Sequence, residues 1–295
     1  MLPLLEREGN SHQEDEKMAG IQINDNSTAV QAYNNLDATS EMLSSAVNKL
    51  SSGLQIQTAA DDPAGYLVGQ YLQEESNGYG QSISNAQDAV SVLQTAQGAL
   101  NQESSVLQTM NTLATEAANG GVQDASTSAA AQSEFASLQA ELDQIATSTT
   151  YGTTPLLGGT YSGETFQVGP YDSANDQVVV TIAAATSTAL AVNTAAVSIG
   201  TVSAAEAAMT AVQTAISTVA SQAAGVGATQ NQIQALASNL TTAQQNIESA
   251  HANLVDVNVA QETAVFTSDQ ILEQSGVAIL AQAEQLPSLA LKLLP

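Results

Sequence analysis

The chain has 295 residues, and its 29 acidic and 4 basic side chains give a formal net charge of −25. So few Lys and Arg exclude a protein that binds nucleic acid or anionic membranes through phosphate contacts. Cysteine is absent, which excludes disulfides and cysteine-based metal sites, and aromatic residues make up only 3%. Because compact cores of this size use more large rings, the composition favours long helices packed through small side chains.

Residues 1–17 differ from the rest of the chain. Their apolar stretch is too short, and their start too poor in basic residues, for a secretory signal. The helical pattern begins just after Met18. Two interpretations stand: a mis-assigned extension upstream of a true start at Met18, or a disordered acidic tail.

Two stretches carry apolar residues at alternating steps of four and three, which keeps one seam facing a partner helix. The front seam lies in a helix predicted over residues 24–56 and consists of Leu36, Ser40, Leu43, Val47, Leu50 and Leu54. The rear seam consists of Ile233, Leu236, Leu240, Ala243, Ile247, Ala250, Leu254 and Val257. Together they predict halves of one coiled coil.

Helix signals fill most of the region between the seams. Asp62 followed by Pro63 predicts a helix start, and the pattern runs from there to about Asn119, before a glycine pair. Further helices are predicted over 125–147 and 204–223, with a bend at Gly225-Val226-Gly227. A last helix runs from about 262 to 286, with Pro287 near its end.

The centre of the chain reads as β structure. Strands are predicted at 165–168 and 178–182 around a loop at 169–176, with one more short strand near 197–201. The predicted fold class is therefore mainly α, with long antiparallel helical hairpins or a coiled coil from both termini and a small β-hairpin insert.

No catalytic or metal-binding set is indicated. His251 is the only histidine after Met18, and with Glu248 it falls short of the three or four ligands that a metal needs. Asp61 and Asp62 are better explained as a helix cap than as a catalytic pair. We expect neither a cofactor nor an enzyme.

Motifs near both ends resemble bacterial flagellins, in their short form. The front motifs are Leu50-Ser51-Ser52-Gly53-Leu54 and Ala60-Asp61-Asp62-Pro63-Ala64-Gly65. The rear motifs are Gln270-Ile271-Leu272-Glu273-Gln274-Ser275-Gly276 and Leu280-Ala281-Gln282-Ala283-Glu284-Gln285-Leu286-Pro287. The likeness extends from Met18 to Leu294.

The resemblance implies a structural subunit that polymerises into the extracellular flagellar filament for swimming motility. It implies an export chaperone, a type III export apparatus, filament cap and hook-junction proteins, and other copies of the chain as partners. It also implies terminal helices at 18–60 and 258–295 in the inner filament core, and a helical rod from 61–150 and 202–257. The insert at 151–201 would face outward. The alternatives are the hook-filament junction protein and, from another class, a secreted coiled-coil adhesin.

The resemblance places self-assembly on the apolar seams of the terminal helices and the rod. The expected residues are Leu36, Leu43, Val47, Leu50, Leu54, Ile233, Leu236, Leu240, Ile247, Leu254, Ile271, Leu272, Ile279 and Leu286. Many flagellins also present an Arg, and a Leu four residues later, to an animal Toll-like receptor. The matching positions are Thr109 and Leu113, so weak or absent receptor activation is expected.

Basic residues that the family usually has are missing. Gln55 and Ala60 stand where Arg or Lys is typical, and His251-Ala252-Asn253 stands for Arg-x-Arg. Packing many such acidic subunits is repulsive, so one hypothesis is a filament that works in acid or in concentrated salt. The other is that the charges lie on solvated faces and neighbouring subunits meet through polar contacts.

Overall fold

Five helices make up most of the protein in this computed structural model, which describes residues 26–121 and 124–292. They are α1 (Ser27–Ser52), α2 (Pro63–Ala117), α3 (Ala125–Ser148), α4 (Val202–Val255) and α5 (Val259–Lys292). Four short strands lie between α3 and α4: β1 (Thr150–Tyr151), β2 (Thr154–Pro155), β3 (Glu164–Gln167) and β4 (Gln177–Val180). The predicted fold class, mainly α with a small β insert, is confirmed.

Local sequence explains where the helices begin and end. Asn26 caps α1 through a bond from the Ala29 amide to its side chain, and Gly53, at φ 75°, ends α1 in the left-handed conformation. This glycine ends the helix earlier than the predicted residue 56, because the left-handed region suits a residue without a side chain. Asp62 accepts a 3.0 Å bond from the Ala64 amide at the start of α2. Asp124 caps α3 in a capping box with Thr127.

The chain divides into two compact units. Unit 1 contains the described residues up to 66 and from 254 onward, and so includes α1 and α5. Unit 2 is residues 67–253 and includes α3, the strands and most of α2 and α4.

Unit 2 has one hydrophobic core made by α2, α3, α4 and the insert. Leu93, Leu107, Phe135, Leu142 and Ile233 are fully buried in it. The insert contributes as well, through Leu156, Leu157, Ile182, Val192 and Ile199. Antiparallel strands β1 and β2 form one small sheet and β3 and β4 the other, with Glu164 opposite Val180 and Gln167 opposite Gln177.

The predicted bend at Gly225-Val226-Gly227 is wrong, since α4 continues through these residues. Val226 is only 5% exposed and belongs to the core of unit 2. Packing of this side chain offsets the weak helix propensity of its two glycine neighbours. Helix α5 likewise continues past Pro287 to Lys292.

The strand predicted near 197–201 is also absent from this described segment. Side chains of α3 satisfy the backbone groups that a strand would pair: Gln139 Nε2 donates to the Val197 carbonyl at 3.2 Å. The Ile199 amide donates to Gln132 Oε1 at 2.6 Å. Tertiary hydrogen bonds to α3 therefore replace a ladder. The β1–β2 hairpin, by contrast, was not predicted.

Candidate assembly surface

Helices α1 and α5 pack along each other in unit 1. Asn26 Nδ2 donates to the Ala283 carbonyl at 2.9 Å, and Leu36 lies beside Gly276. As the residue number rises on α1 it falls on α5, so the two helices are antiparallel. The pairing of the front seam with the rear seam of α4 is therefore wrong: α1 packs on α5, and Ile233 lies in the core of unit 2.

The paired faces follow a heptad on both helices. On α1 the least exposed positions are Ala29, Ala32, Leu36, Thr39, Leu43, Ala46 and Leu50. On α5 they are Glu262, Phe266, Asp269, Glu273, Gly276, Leu280 and Ala283. Sequence reasoning missed the α5 face because three of its members are acidic. Its strict steps of four and three were the available signal.

The segment after α1 is tied to the one before α5. The amides of Gln55 and Ile56 donate to the Val255 carbonyl at 2.7 and 3.4 Å, and the Val257 amide donates to the Gly53 carbonyl at 2.9 Å. Leu54 and Asp256 form an antiparallel bridge between them. This small ladder fixes where the α1–α5 pair begins.

The turn before α2 has a second set of constraints. Asp61 Oδ2 accepts from the amides of Gln57 and Thr58 at 3.1 and 2.8 Å. These backbone hydrogen bonds, that of Thr58 first, lower the pKa of Asp61 because they favour the ionised carboxylate. Gly65 is buried, and a Cβ there would lie 2.7 Å from Ile56 Cδ1. Asp61 thus acts as a turn residue, and Asp62, which accepts from the Ala64 amide, caps α2.

Large apolar side chains on the other faces of this helix pair stay exposed. On α5, Val265, Leu272, Ile279 and Leu286 recur every seven residues and are 43, 50, 57 and 47% exposed. On α1, Val30, Tyr33 and Val47 are 56, 59 and 46% exposed. We call the α5 set the α5 stripe and the α1 set the α1 stripe. Exposed apolar rows of this kind are typical of surfaces that bind another protein.

The predicted assembly residues fall into three groups. Leu36, Leu43, Leu50 and Leu54 are half-buried in unit 1, as is Leu254. Ile233 is fully buried, and Leu236, Leu240 and Ile247 on α4 are half-buried in unit 2. Val47, Ile271, Leu272, Ile279 and Leu286 are exposed.

Thr109 and Leu113 lie on consecutive turns of α2. Thr109 is exposed, and its hydroxyl donates to the Ser105 carbonyl at 3.1 Å. Leu113 is half-buried and packs against the core of unit 2. The exposed face there consequently carries a hydroxyl and no cation.

Other chemistry finds little support among the described residues. None of their His, Cys, Asp and Glu side chains form a group of three or more that could hold a metal ion. None of the helices in the described ranges is long and apolar enough to cross a membrane. The exposed apolar stripes are the feature that calls for a partner.

Two comparisons with known proteins, one with family models and one with similar sequences, indicate the same family. Residues 23–162 match the family described as the bacterial flagellin N-terminal helical region, and residues 209–294 match the bacterial flagellin C-terminal helical region. A flagellin of Halalkalibacterium halodurans is 33% identical over 92% of this chain and 99% of its own length. A flagellin of Bacillus subtilis is 32% identical over 93% of this chain and 100% of its own length. The crystal structure of Bacillus cereus flagellin covers 57% of this chain and 94% of its own, at 27% identity and a TM-score of 0.48.

Proposed function

We propose that this chain joins its neighbours through the α1 and α5 stripes. The chain belongs to the bacterial flagellin family and is a structural subunit of the flagellar filament. The observation that carries the proposal is the exposed apolar heptad row on α5, the α5 stripe, which is distinct from the mixed face that packs on α1. One row of that helix already packs on α1, so the other is free to meet a second copy of the chain.

Burial of these rows supplies the energy for assembly. Each large aliphatic side chain contributes about 1.5–3 kcal/mol when it is fully removed from water. An isolated pair of helices with one shared face is a marginal structure. Contacts between subunits therefore stabilise the terminal helices as they form the polymer, and folding of the ends is linked to assembly.

The geometry of the proposed contact favours an open polymer. The α1 and α5 stripes consist of different residues on different helices. A contact between the α5 stripe of one copy and the α1 stripe of the next is therefore head-to-tail. A head-to-tail contact whose rotation does not close produces a filament rather than a ring.

Further parts of the proposal follow from family membership alone. A flagellin subunit leaves the cell unfolded through a type III export apparatus, escorted by a chaperone, and is added beneath a cap at the filament tip. We extend these partners, the hook-junction proteins and an extracellular location to this chain. A filament core formed by residues 18–60 and 258–295 is included in the proposal.

The alternatives are less well supported. A hook-filament junction protein and a secreted adhesin are not favoured, because full-length relatives of this chain carry the name flagellin. The proposed residues 18–25 and the predicted start at Met18 lie outside the described residues, as does the acidic extension at 1–17.

Polymerisation of the purified full chain on filament seeds tests the proposal. The double variant Leu272→Ser and Ile279→Ser removes two members of the α5 stripe. We expect its critical concentration to rise at least tenfold. Each large aliphatic side chain contributes about 1.5–3 kcal/mol when it is buried, and about 1.4 kcal/mol corresponds to each factor of ten. Electron microscopy and sedimentation measure the polymer.

Val277→Ser is the matched control. Val277 is 53% exposed on the same helix but lies off the α5 stripe, so this variant should polymerise as the unchanged chain does. Equal critical concentrations for the double variant and the control contradict the role of the stripe. Failure of the unchanged chain to form filaments on any seed contradicts the whole proposal.

A further inference from the structure

Glu103 lies in the C-terminal third of α2 with its side chain in the interior of unit 2. It is 0% exposed, and the neighbouring Leu100, Val106 and Leu107 are core residues. Neither of its carboxylate oxygens has a hydrogen-bond partner among the described residues. A carboxylate in this position loses its water without any compensation from the protein.

Unit 2 contains no Lys or Arg that could pair with Glu103. The four basic residues of the chain are Arg7, Lys17, Lys49 and Lys292, so residues 67–253, the whole of unit 2, contain no Lys or Arg. The one histidine of unit 2, His251, follows Glu248, which contacts Ser76 of α2. Ser76 is 27 residues from Glu103 along the helix, or about 40 Å at 1.5 Å per residue. His251, which lies near Ser76, is therefore too far from Glu103 to pair with it.

The charged group that does act on Glu103 has the same sign. Asp143 on α3 raises the pKa of Glu103 electrostatically. The two carboxylate oxygens of Asp143 accept 2.8 Å hydrogen bonds from the amide and hydroxyl of Ser187 in the insert. Helix α4 offers no titratable group from residue 207 to residue 247. Glu103 is thus under the influence of one like charge on α3, and residues 207–247 of α4 offer no positive charge to offset it.

A proton, by contrast, suits this interior. Besides the Glu103 oxygens, Gln139 Oε1 on α3 and Gln222 Oε1 on α4 are buried acceptors without a donor. The Nε2 of Gln139 is already occupied by the Val192 and Val197 carbonyls. Gln139 lies one turn before Asp143 on α3. Protonation of Glu103 adds a donor to unit 2, where every unpaired buried side-chain atom among the described residues is an acceptor oxygen.

We propose that Glu103 folds into unit 2 as a neutral carboxylic acid, and that its proton makes this unit more stable in acid than at neutral or alkaline pH. The proposal goes beyond assembly, since it concerns the fold of unit 2 in each single chain. It therefore stands or fails independently of the α5 stripe.

The direction of the pH effect follows from the two states. Burial first, and then the charge of Asp143, raise the pKa of Glu103 from 4.5 to about 8 in the folded protein. The unfolded chain releases the proton near 4.5, so the folded state binds more protons between these values. The stabilisation is complete below pH 4.5 and is lost as the pH rises through about 8.

Glu103→Gln separates this effect from the charge of the whole chain, because the amide keeps the shape and is neutral at every pH. Urea unfolding of the full-length monomer is measured from pH 5 to 8.5 for both proteins. At pH 5 the two unfolding constants should be close. Toward pH 8 the constant of the unchanged protein should rise relative to that of the variant, approaching tenfold per pH unit.

Asp88→Asn is the control, since Asp88 is an exposed acid on the same helix. The ratio of the unfolding constant of this variant to that of the unchanged protein should not change over this pH range. Asp143→Asn keeps Glu103 but removes the charge beside it, so the midpoint of the loss should move to lower pH.

Carbon-13 NMR of the glutamate carboxyl groups gives a direct reading. The resonance that disappears in Glu103→Gln should titrate with a midpoint of about 8. A midpoint of about 4.5 for this resonance overturns the proposal, as does a ratio of the two unfolding constants that does not change with pH. Stabilisation of the unchanged protein by calcium or potassium at pH 8, absent in Glu103→Gln, would show a bound cation instead of a proton.

Discussion

Gly276 of α5 lies directly against Leu36 of α1. A Cβ added to Gly276 would come within 3.2 Å of Leu36 Cδ1 and 3.8 Å of Leu36 Cβ. The absence of a side chain at this position lets the two helices approach closely, and a leucine from the opposite helix occupies the space. The motif that ends in Gly276 therefore has a packing reason.

A large side chain at Gly276 should separate the helices. In Gly276→Leu the new side chain and Leu36 need the same space, so we expect faster hydrogen exchange of residues 27–52 in the assembled protein and a higher critical concentration. Gly276→Ala is the control, because the flexible Leu36 can move by the few tenths of an ångström that a methyl group requires. Equal exchange in all three proteins contradicts this packing.

Two other glycines should respond oppositely to alanine. Gly227 lies inside α4 and a Cβ there would contact nothing within 4 Å, so Gly227→Ala should raise the free energy of unfolding of unit 2 by about 0.5–1 kcal/mol. Gly65→Ala should destabilise the turn before α2, because the new methyl group meets the Asp62 carboxylate and Ile56. Urea unfolding and hydrogen exchange measure the two effects. A gain for Gly65→Ala contradicts this crowding.

Tyr171 should remain protonated in strongly alkaline solution. Its hydroxyl donates to Glu75 Oε1 at 2.7 Å, and this hydrogen bond raises the pKa of Tyr171 to about 12. The contact contributes stability below pH 10, which is lost as the pH rises through about 12. Ultraviolet titration should show one phenol at about 12 that disappears in Tyr171→Phe. Glu75→Gln, which removes the charge, should lower its midpoint.

The filament should be most stable in acid or in concentrated salt. Every copy of unit 2 lacks Lys and Arg, so neighbouring copies cannot offset one another's carboxylates with these bases. Acid neutralises the carboxylates, and salt shortens the screening length to about 3 Å at 1 M. Turbidity and sedimentation over a grid of pH and salt measure this. Maximal stability at neutral pH and low salt contradicts it, and favours charges on solvated faces.

Animal Toll-like receptor activation should be weak. Thr109 exposes a hydroxyl that is already bonded to the Ser105 carbonyl, where flagellins that activate the receptor present an Arg. Arginine is a frequent interface hot spot. A reporter assay on Thr109→Arg should give a higher response than the unchanged chain, and Thr109→Gln serves as the uncharged control. A strong response from the unchanged chain contradicts the prediction.

Much of the helical organisation could be predicted because its signals are local. Asp62 with Pro63 marks the start of α2, and the stepping of apolar residues to the glycine pair after Asn119 marks its end. Gly225 and Gly227 misled the prediction for the same reason: a local weakness was taken as a bend, whereas Val226 packs into the core of unit 2.

The sequence by itself determined the class of this protein, since its heptad spacing, terminal motifs and acidic composition are properties of neighbouring residues along the chain. Only the tertiary structure decided that α1 packs on the mixed face of α5 and that Leu272 and Ile279 remain exposed. Partner choice depends on how whole faces fit, and a face built from Asp269, Gly276 and Leu280 has no apolar signature. The same holds for Glu103, which α2 carries into a core that contains no base.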